Sequence, residues 1–415
     1  MGSIFFAHSG GVTTTINATL SGIIDGYHKH QSSFSNLLVG ENGIIGAIKE
    51  SLIDIKQYTP EELQSIYSQP GAAFGSCRFK LKDPNTQSAQ FERILDVFKA
   101  HNIKYFIYNG GNDSQDTTLK LSTYFKKNHL DIHCMGIPKT IDNDLYGTDN
   151  CPGFGSAAKY LITSIMEAGV DLRSMSNSST KVFILETMGR HTGWLAASTG
   201  LAKAPFGPHV ILMPERKFNR SAFLKKVDQS VHRNGYCIIS VAEGVKLHED
   251  QLHSNRGVDA FGHQQLGGIA PHIASLIKDE LDHKTHYAVA DYLQRSARHL
   301  ASGTDLEQAK ALGKFAIESC LKKSFNEKML AIKRVSDNPY QWDITSTPLS
   351  TVANEEKVIP DEFISECGMH ITDACRQYLK PLIQGEQWLD YSDGCPNYSA
   401  LEKKFVEEKC APYVY

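Results

Sequence analysis

The chain has 415 residues, 41% hydrophobic and 21% charged, which is enough for two or three domains around a substantial core. A formal charge of −3 gives no electrostatic footprint for a polyanion, so nucleic acid is not an expected partner. Apolar runs such as "HVILMP" are too short to span a bilayer, and "MGSIFFAHSGG" lacks the basic and apolar regions of a secretory signal; neither membrane insertion nor export is expected.

In chain order, "SIFFAHS" reads as a short buried strand, followed by a glycine turn and the helical stretch "TINATLSGIIDGYH". Residues 91 to 98, "FERILDVF", place apolar side chains at 91, 94, 95 and 98, one face of a helix. "IKYFIY" (103–108) is a strand, "GGNDSQ" a turn and "DTTLKLSTYFKK" a helix, and "IHCMGI" is the next strand. A helix over about 156–171 follows, then the strand "KVFILE" (181–186), a helix near 193–203 and the strand "YCIISVAE" (236–243). Residues 246–262, rich in His, Glu, Asp and Gly, read as an exposed loop, and 335–360 as a polar, irregular stretch before a helical segment from Asp361. Strands alternating with helices and glycine turns imply βαβ units and mostly parallel sheets covered on both faces. Nine cysteines without a CxxC pair read as reduced, mostly buried thiols of a cytoplasmic protein.

Ligands of open parallel sheets bind at the carboxyl ends of the strands. Four such ends carry suggestive residues: "HSGGVTTTIN" (8–17), "NGGNDSQDT" (109–117), "GIPKTIDNDL" (136–145) and "ETMGRHTGW" (186–194). Paired glycines let backbone amides approach an anion, and the following helix N-terminus favours negative charge. One such turn can exist for geometry alone; two, each followed by hydroxyl or acidic residues, favour phosphate. No GxxxxGK[ST] occurs, and a GxGxxA at Gly153, Gly155 and Ala158 follows a polar loop rather than a strand, so it is read as a false lead.

The stretch "PKTIDND" sets Lys139, Thr140, Asp142 and Asp144 on one loop directly after a strand. Phosphoryl transfer to an alcohol needs an anion cradle, positive charge over the moving group, and a carboxylate to take the hydroxyl proton. Asp142 or Asp144 suits the base, Lys139 the cation and Thr140 a hydrogen-bond donor. A solvated loop with capping aspartates is the bland alternative.

"SGGVTTTINA", "GSCRF" (75–79), "GGNDS", "PKTIDND", "ETMGR", "SVAEG" (240–244) and "YLQR" (292–295) occur in the order seen in the phosphofructokinase family, from the first strand to about residue 320. The sequence resembles the pyrophosphate-dependent branch of that family, and "TVANEEKVIPDEFI" and "YLKPLIQGE" extend the resemblance toward the C-terminus. The resemblance implies two Rossmann-like domains with mostly parallel sheets sandwiched by helices, plus a mainly helical C-terminal elaboration. Residues 1–150 would form the diphosphate and metal side, 151–290 the sugar-phosphate side, 291–335 a return onto the first domain, and 336–415 the elaboration.

It further implies diphosphate and fructose 6-phosphate as substrates, magnesium as cofactor, and a homodimer or homotetramer. Gly11, Arg78, Gly111, Asp113 and Ser114 match diphosphate contacts, with Arg78 bridging donor and acceptor. Asp142 matches the proton acceptor, Asp144 a carboxylate that organises the metal, and Thr140 a contact to the sugar phosphate. Met188, Gly189 and Arg190 match the sugar pocket, Glu243 a partner of sugar hydroxyls, and Tyr292 and Arg295 the 6-phosphate pair. ATP-using relatives carry glycine where this chain has Asp113 and Lys139. Asp113 would then repel a nucleotide α-phosphate and Lys139 would neutralise charge on the departing phosphate; one surface ion pair between the two is the alternative.

Three positions depart from the pattern. Asn112 stands where many relatives place an aspartate ligand for magnesium, leaving a weaker amide oxygen. Lys181 replaces an arginine that reaches the 6-phosphate from a neighbouring subunit, and His286 replaces another arginine. His191 and Trp194 are read as pocket wall, His263 as a loop residue, and Lys357 as a residue reaching toward the site. An ATP-dependent enzyme and a non-catalytic sugar-phosphate-binding subunit are the alternatives, and sedoheptulose 7-phosphate is a further conceivable acceptor.

Overall fold

In the computed structural model, which describes residues 1–247, 268–322, 326–353, 355–398 and 400–413, the first apolar run becomes β1 (Ser3–His8), buried along its whole length. It lies in the interior of a seven-stranded sheet, third from one edge. β2 (Leu37–Gly40) pairs with it in parallel, and β3 (Leu52–Asp54) closes that edge antiparallel. On the other side β4 (Ile103–Gly110) and β5 (His133–Pro138) continue in parallel. Near-continuous burial of β1, β4 and β5 is what a parallel sheet covered on both faces requires. Two apolar clusters, one on each face, supply the cover.

After β5 the chain crosses at 139–153 into the helix Phe154–Met175 and a second, all-parallel sheet. Its strands are β6 (Val182–Thr187), β7 (Val210–Leu212), β8 (Cys237–Ala242) and β9 (Thr285–Val289), in spatial order β7-β8-β6-β9. β9 is an edge strand with its last four residues exposed. The chain returns through 290–302 to the helix Gly303–Lys322, and β10 (Lys328–Asp337) joins β5 in parallel. β11 (Tyr340–Pro348) pairs antiparallel with β10 at the edge. The C-terminal residues cross twice more: Ile359, Ile364, Ile371 and Leu382 enter the core of the second sheet, and Phe405 bridges back to Ile53.

Three expectations need correction. "GGNDSQ" does not stay a turn; Asn112 opens the helix Asn112–Lys127, with Gly111 extended at its N-cap and Asp113 in the first turn, where the helix dipole favours a carboxylate. The polar stretch after residue 335 carries β11, whose side chains alternate in exposure; the period-two pattern "YQWDITSTP" is hidden by its polar members. The C-terminal elaboration is not mainly helical: beyond β11 it holds short helical turns, Asp373–Leu379 the longest, and its apolar side chains dock individually into the core. The expected loop at 246–262 falls almost wholly, and His263 entirely, outside the described residues.

The return helix is pressed onto the first helix, Ile16–Lys29, at two glycines. A Cβ on Gly22 would meet the Lys310 carbonyl oxygen at 2.0 Å, and one on Gly313 the Thr19 carbonyl oxygen at 2.2 Å. Backbone cannot give way as a flexible side chain can. Gly22→Ala is therefore expected to destabilise the fold by about 1–3 kcal/mol through overpacking. An unchanged denaturant midpoint would show that the two helices can separate there.

Candidate active site

The carboxyl ends of β1, β4 and β5 converge. The Gly10 N–H donates to the Cys77 carbonyl (2.8 Å) and Ser76 Oγ donates to the Gly10 carbonyl (2.8 Å), which fixes the first glycine turn against the segment carrying Arg78. Gly10 has φ +77°, a conformation that L side chains rarely adopt. A Cβ on Gly11 would lie 2.9 Å from Arg295 Nη1 and 3.5 Å from Arg78 Nη2. "GSCRF" and "YLQR", more than two hundred residues apart in sequence, thus meet over the same turn.

Lys139, at the end of β5, is only 3% exposed, and its Nζ donates to the Gly11 carbonyl (2.6 Å). Burial, with Arg295 and Arg78 nearby, pulls its ammonium down to about 7 despite Asp144 and Asp142. Asp113 instead pairs with Lys80 at 3.1 Å. The single surface ion pair between Lys139 and Asp113 is thereby replaced by two different environments, one buried and one open. Beneath the lysine, His8 and Asn109 form a buried hydrogen bond (3.3 Å) that the sequence reading missed; burial, and then Lys139, hold the imidazole neutral, down to about 3.

The aspartate loop turns on itself. The Asp142 N–H donates to Thr140 Oγ1 (3.1 Å), and Asn143 adopts φ +54° between the two aspartates. Thr140 therefore shapes the turn. Burial pushes the Asp142 carboxyl well above the usual range, helped by Asp144 and Glu243 and opposed by Arg190 and Arg78. Asp144 is raised by burial and by Glu356, against hydrogen bonds and Lys357. Asp142 Oδ1 and Arg190 Nε are buried without a hydrogen-bond partner. Groups held this way are candidates for a reaction rather than for the fold.

The second sheet supplies the opposite wall. Gly189, at φ +130°, turns the chain after β6 so that Arg190 faces Asp142 and Glu243 electrostatically. The Gly244 N–H donates to the Gly189 carbonyl (3.1 Å), and burial pushes Glu243 up to about 7, with Arg190 opposing. Thr192 Oγ1 donates to the Asp142 carbonyl (3.3 Å), joining this wall to the aspartate loop. Met188 is oriented by Gln294, whose Oε1 accepts its N–H (3.2 Å). Gln294 lies inside "YLQR", but nothing in sequence distinguishes it from a surface glutamine. Arg295 stacks on Tyr292, guanidinium carbon 3.8 Å from the ring centroid, with Tyr292 itself 65% exposed.

Two residues are not brought in. Lys181 precedes β6, at the opposite end of that strand from Met188, and its Nζ donates to the Ser176 carbonyl. His286 is exposed on the β9 edge. His191 is exposed rather than packed, whereas Trp194 is buried against Phe154, Phe363 and Tyr378. Gly153 and Gly155 are packing glycines: Asp305 accepts the Gly153 N–H (3.0 Å), and a Cβ on Gly155 would strike the Leu382 carbonyl oxygen at 2.2 Å.

Asn112 tests the metal side. Its Nδ2 donates to the Glu355 carbonyl (3.0 Å), leaving Oδ1 buried and without a partner. An amide oxygen left open and a carboxylate such as Asp144 are the hard-oxygen donors that suit a magnesium ion which also takes phosphate oxygens. Among the described residues no group of three or more His, Cys, Asp or Glu side chains is placed to hold a metal alone.

Moving a phosphoryl group between two anions requires cations over the donor, a base at the acceptor and walls that close on both. Buried cations, raised carboxyls and glycine turns lie together where the two sheets meet, and the fold and site define a phosphotransferase. A family model described as phosphofructokinase matches residues 3–320, and the chain belongs to that family. It is 50% identical over 408 residues to the pyrophosphate–fructose 6-phosphate 1-phosphotransferase of Halomonas elongata, spanning 98% of this chain and 97% of that one. The corresponding protein of Xanthomonas campestris pv. campestris is 48% identical over 413 residues, spanning 98% of each chain. Among solved structures, the pyrophosphate-dependent phosphofructokinase of Nitrosospira multiformis superposes with a TM-score of 0.92 at 46% identity, over 100% of both chains. No helix among the described residues is long and apolar enough to cross a membrane.

Proposed function

We propose that this chain is a pyrophosphate-dependent 6-phosphofructokinase, transferring the terminal phosphoryl group of diphosphate to the 1-hydroxyl of fructose 6-phosphate. The products are fructose 1,6-bisphosphate and phosphate, and the reaction runs in either direction of glycolytic flux, in the cytoplasm. The observation that carries the donor assignment is Lys139, buried against the Gly11 carbonyl, with Asp113 at the mouth of the same cradle.

Residues 1–150 hold the diphosphate through Gly11, Gly111, Ser114 and Arg78, and residues 151–290 hold the sugar through Met188, Gly189, Arg190 and Glu243. Tyr292 and Arg295, on the 291–335 return, take the 6-phosphate. Asp142 accepts the 1-hydroxyl proton as its oxygen bonds to phosphorus, and the bond to the bridging oxygen breaks. Lys139 meets the charge that grows on the departing phosphate, and Arg190 holds the acceptor end in line. Asn112 Oδ1 and Asp144 would hold magnesium, which when bound neutralises charge on the phosphate oxygens. Lys181 serves the 6-phosphate of a neighbouring subunit in a homodimer or homotetramer.

The assay supplies diphosphate and ATP in parallel and follows fructose 1,6-bisphosphate. Turnover with diphosphate is expected; turnover with ATP alone, or sugar-phosphate binding without turnover, would overturn the assignment. Asp113→Gly is expected to raise ATP-dependent kcat/KM by about tenfold or more, because a like charge facing the α-phosphate costs several kcal/mol. No gain with ATP would remove Asp113 from donor selection.

A further inference from the structure

The C-terminal elaboration has no part in the chemistry described so far, yet three of its consecutive residues touch the catalytic elements. The Glu355 carbonyl accepts from Asn112 Nδ2 (3.0 Å) at the start of the helix Asn112–Lys127. Glu356 forms an antiparallel bridge with Leu145, next to Asp144. The Lys357 N–H donates to the Asp144 carbonyl (2.7 Å), and its own carbonyl accepts from Trp194 Nε1 (2.9 Å), four residues past Arg190.

The Lys357 side chain then passes behind the aspartate loop. Its ammonium donates to Asn143 Oδ1 (3.2 Å) and to the carbonyls of Thr148 (3.3 Å) and Asp149 (2.7 Å). It lies 5.4 Å from the Trp194 ring centroid. An ammonium has three donors, and here each has an oxygen acceptor, as an internal cation requires. No neutral side chain of that length supplies three donors. Burial lowers this lysine from its ordinary value, with Cys151, Asp149 and Asp144 opposing, so the cost of desolvation outweighs the nearby negative groups and the three acceptors are what keep the ammonium in place.

Asn143 is the pivot. It is fully buried, lies between Asp142 and Asp144, and holds the left-handed φ of +54°. Its Oδ1 also accepts the Cys151 N–H (3.0 Å), and its Nδ2 donates to Tyr378 Oη (3.1 Å), which donates onward to the Asp149 carbonyl (2.6 Å). A left-handed asparagine held from two sides fixes the directions of the residues flanking it.

We propose that Lys357 is a positioning residue for phosphoryl transfer: through Asn143 and the Asp144 carbonyl it fixes the two aspartates, and with Glu355 it ties that loop to the diphosphate cradle. This rests on the assignment of Asp142 as the base. The C-terminal elaboration is then part of the catalytic frame, and Tyr378 is its second anchor.

The test uses the full-length protein. Lys357→Met and Tyr378→Phe are compared with the wild type for kcat, for KM of both substrates and for thermal unfolding, with whichever donor the wild type uses. Lys357→Met is expected to lower kcat on the order of 100-fold, the cost of about 1 Å of misplacement, with the KM values near those of the wild type. Tyr378→Phe removes one hydroxyl at nearly constant volume, and about a tenfold fall in kcat is expected from one lost hydrogen bond. A folded Lys357→Met enzyme with wild-type kcat overturns the proposal, as does a loss confined to KM or to thermal stability. If Lys357→Met fails to fold, an undiminished kcat in Tyr378→Phe overturns it as well. A wild type inactive with diphosphate but active with ATP would sink the donor assignment while leaving this comparison intact.

Discussion

Asp142→Asn is expected to lower kcat by about 10²–10⁴-fold, the usual contribution of a positioned general base, with little change in the KM of either substrate. The amide keeps the shape and can still accept a hydrogen bond, but it cannot take the 1-hydroxyl proton. The same residue shapes the pH profile. Its carboxyl is raised by burial first and by Asp144 and Glu243 next, and it works only when ionised, so kcat/KM rises with pH through that elevated range. Lys139 works only when charged and is pulled down to about 7, below the carboxyl at about 8, so the two required forms coexist in only a small fraction of the enzyme and activity falls off on both sides of that overlap. The wild-type profile is therefore a narrow bell whose acid limb belongs to the carboxyl cluster. In Asp142→Asn the residual activity should respond far less to pH on the acid side. An acid limb unchanged in position and steepness would move the base role to Asp144 or Glu243.

Lys139→Met is expected to reduce kcat by about 10²–10³-fold, as when a single donor to a developing oxyanion is removed, and to weaken diphosphate binding. Stability should respond in the opposite sense. The ammonium is almost fully buried and donates to a backbone carbonyl, and burial pulls it down to about 7, so folding disfavours its charge and a neutral side chain of similar volume removes that cost. A variant that is inactive and no less stable to heat separates a catalytic lysine from a structural one. Loss of activity together with a large drop in melting temperature would favour the structural reading.

The central strands were legible because their apolar runs are continuous and end in glycine. β1, β4, β5, β6 and β8 fall within about a residue or two of the runs that announce them. The edges were not: β9 is exposed, and β11 reads as polar, because an edge strand has one row of partners and tolerates water on much of its surface. Within the site, residues that face substrate carry recognisable motifs. Those that face other residues do not. Gln294, Thr192 and Asn143 act through one to three hydrogen bonds to backbone or neighbouring side chains, and no spacing rule distinguishes such a residue from a solvated one. The segment "VANEEKVIP" suggests only that Lys357 reaches toward the site; its target, the far side of the aspartate loop, depends on a crossing more than two hundred residues downstream.

The chain passes between its two sheets at 139–153, at 290–302 and twice more near the C-terminus. Two bodies stitched together at several neighbouring points cannot part widely; they can only tilt about a line through the stitches. A point on such an axis barely travels, while points far from it sweep an arc. Asp142 sits at one of those stitches, and Arg78 and Arg190 sit on opposite sides of it. On the role proposed for Asp142, the proton acceptor therefore lies on the part of the molecule that such a tilt moves least.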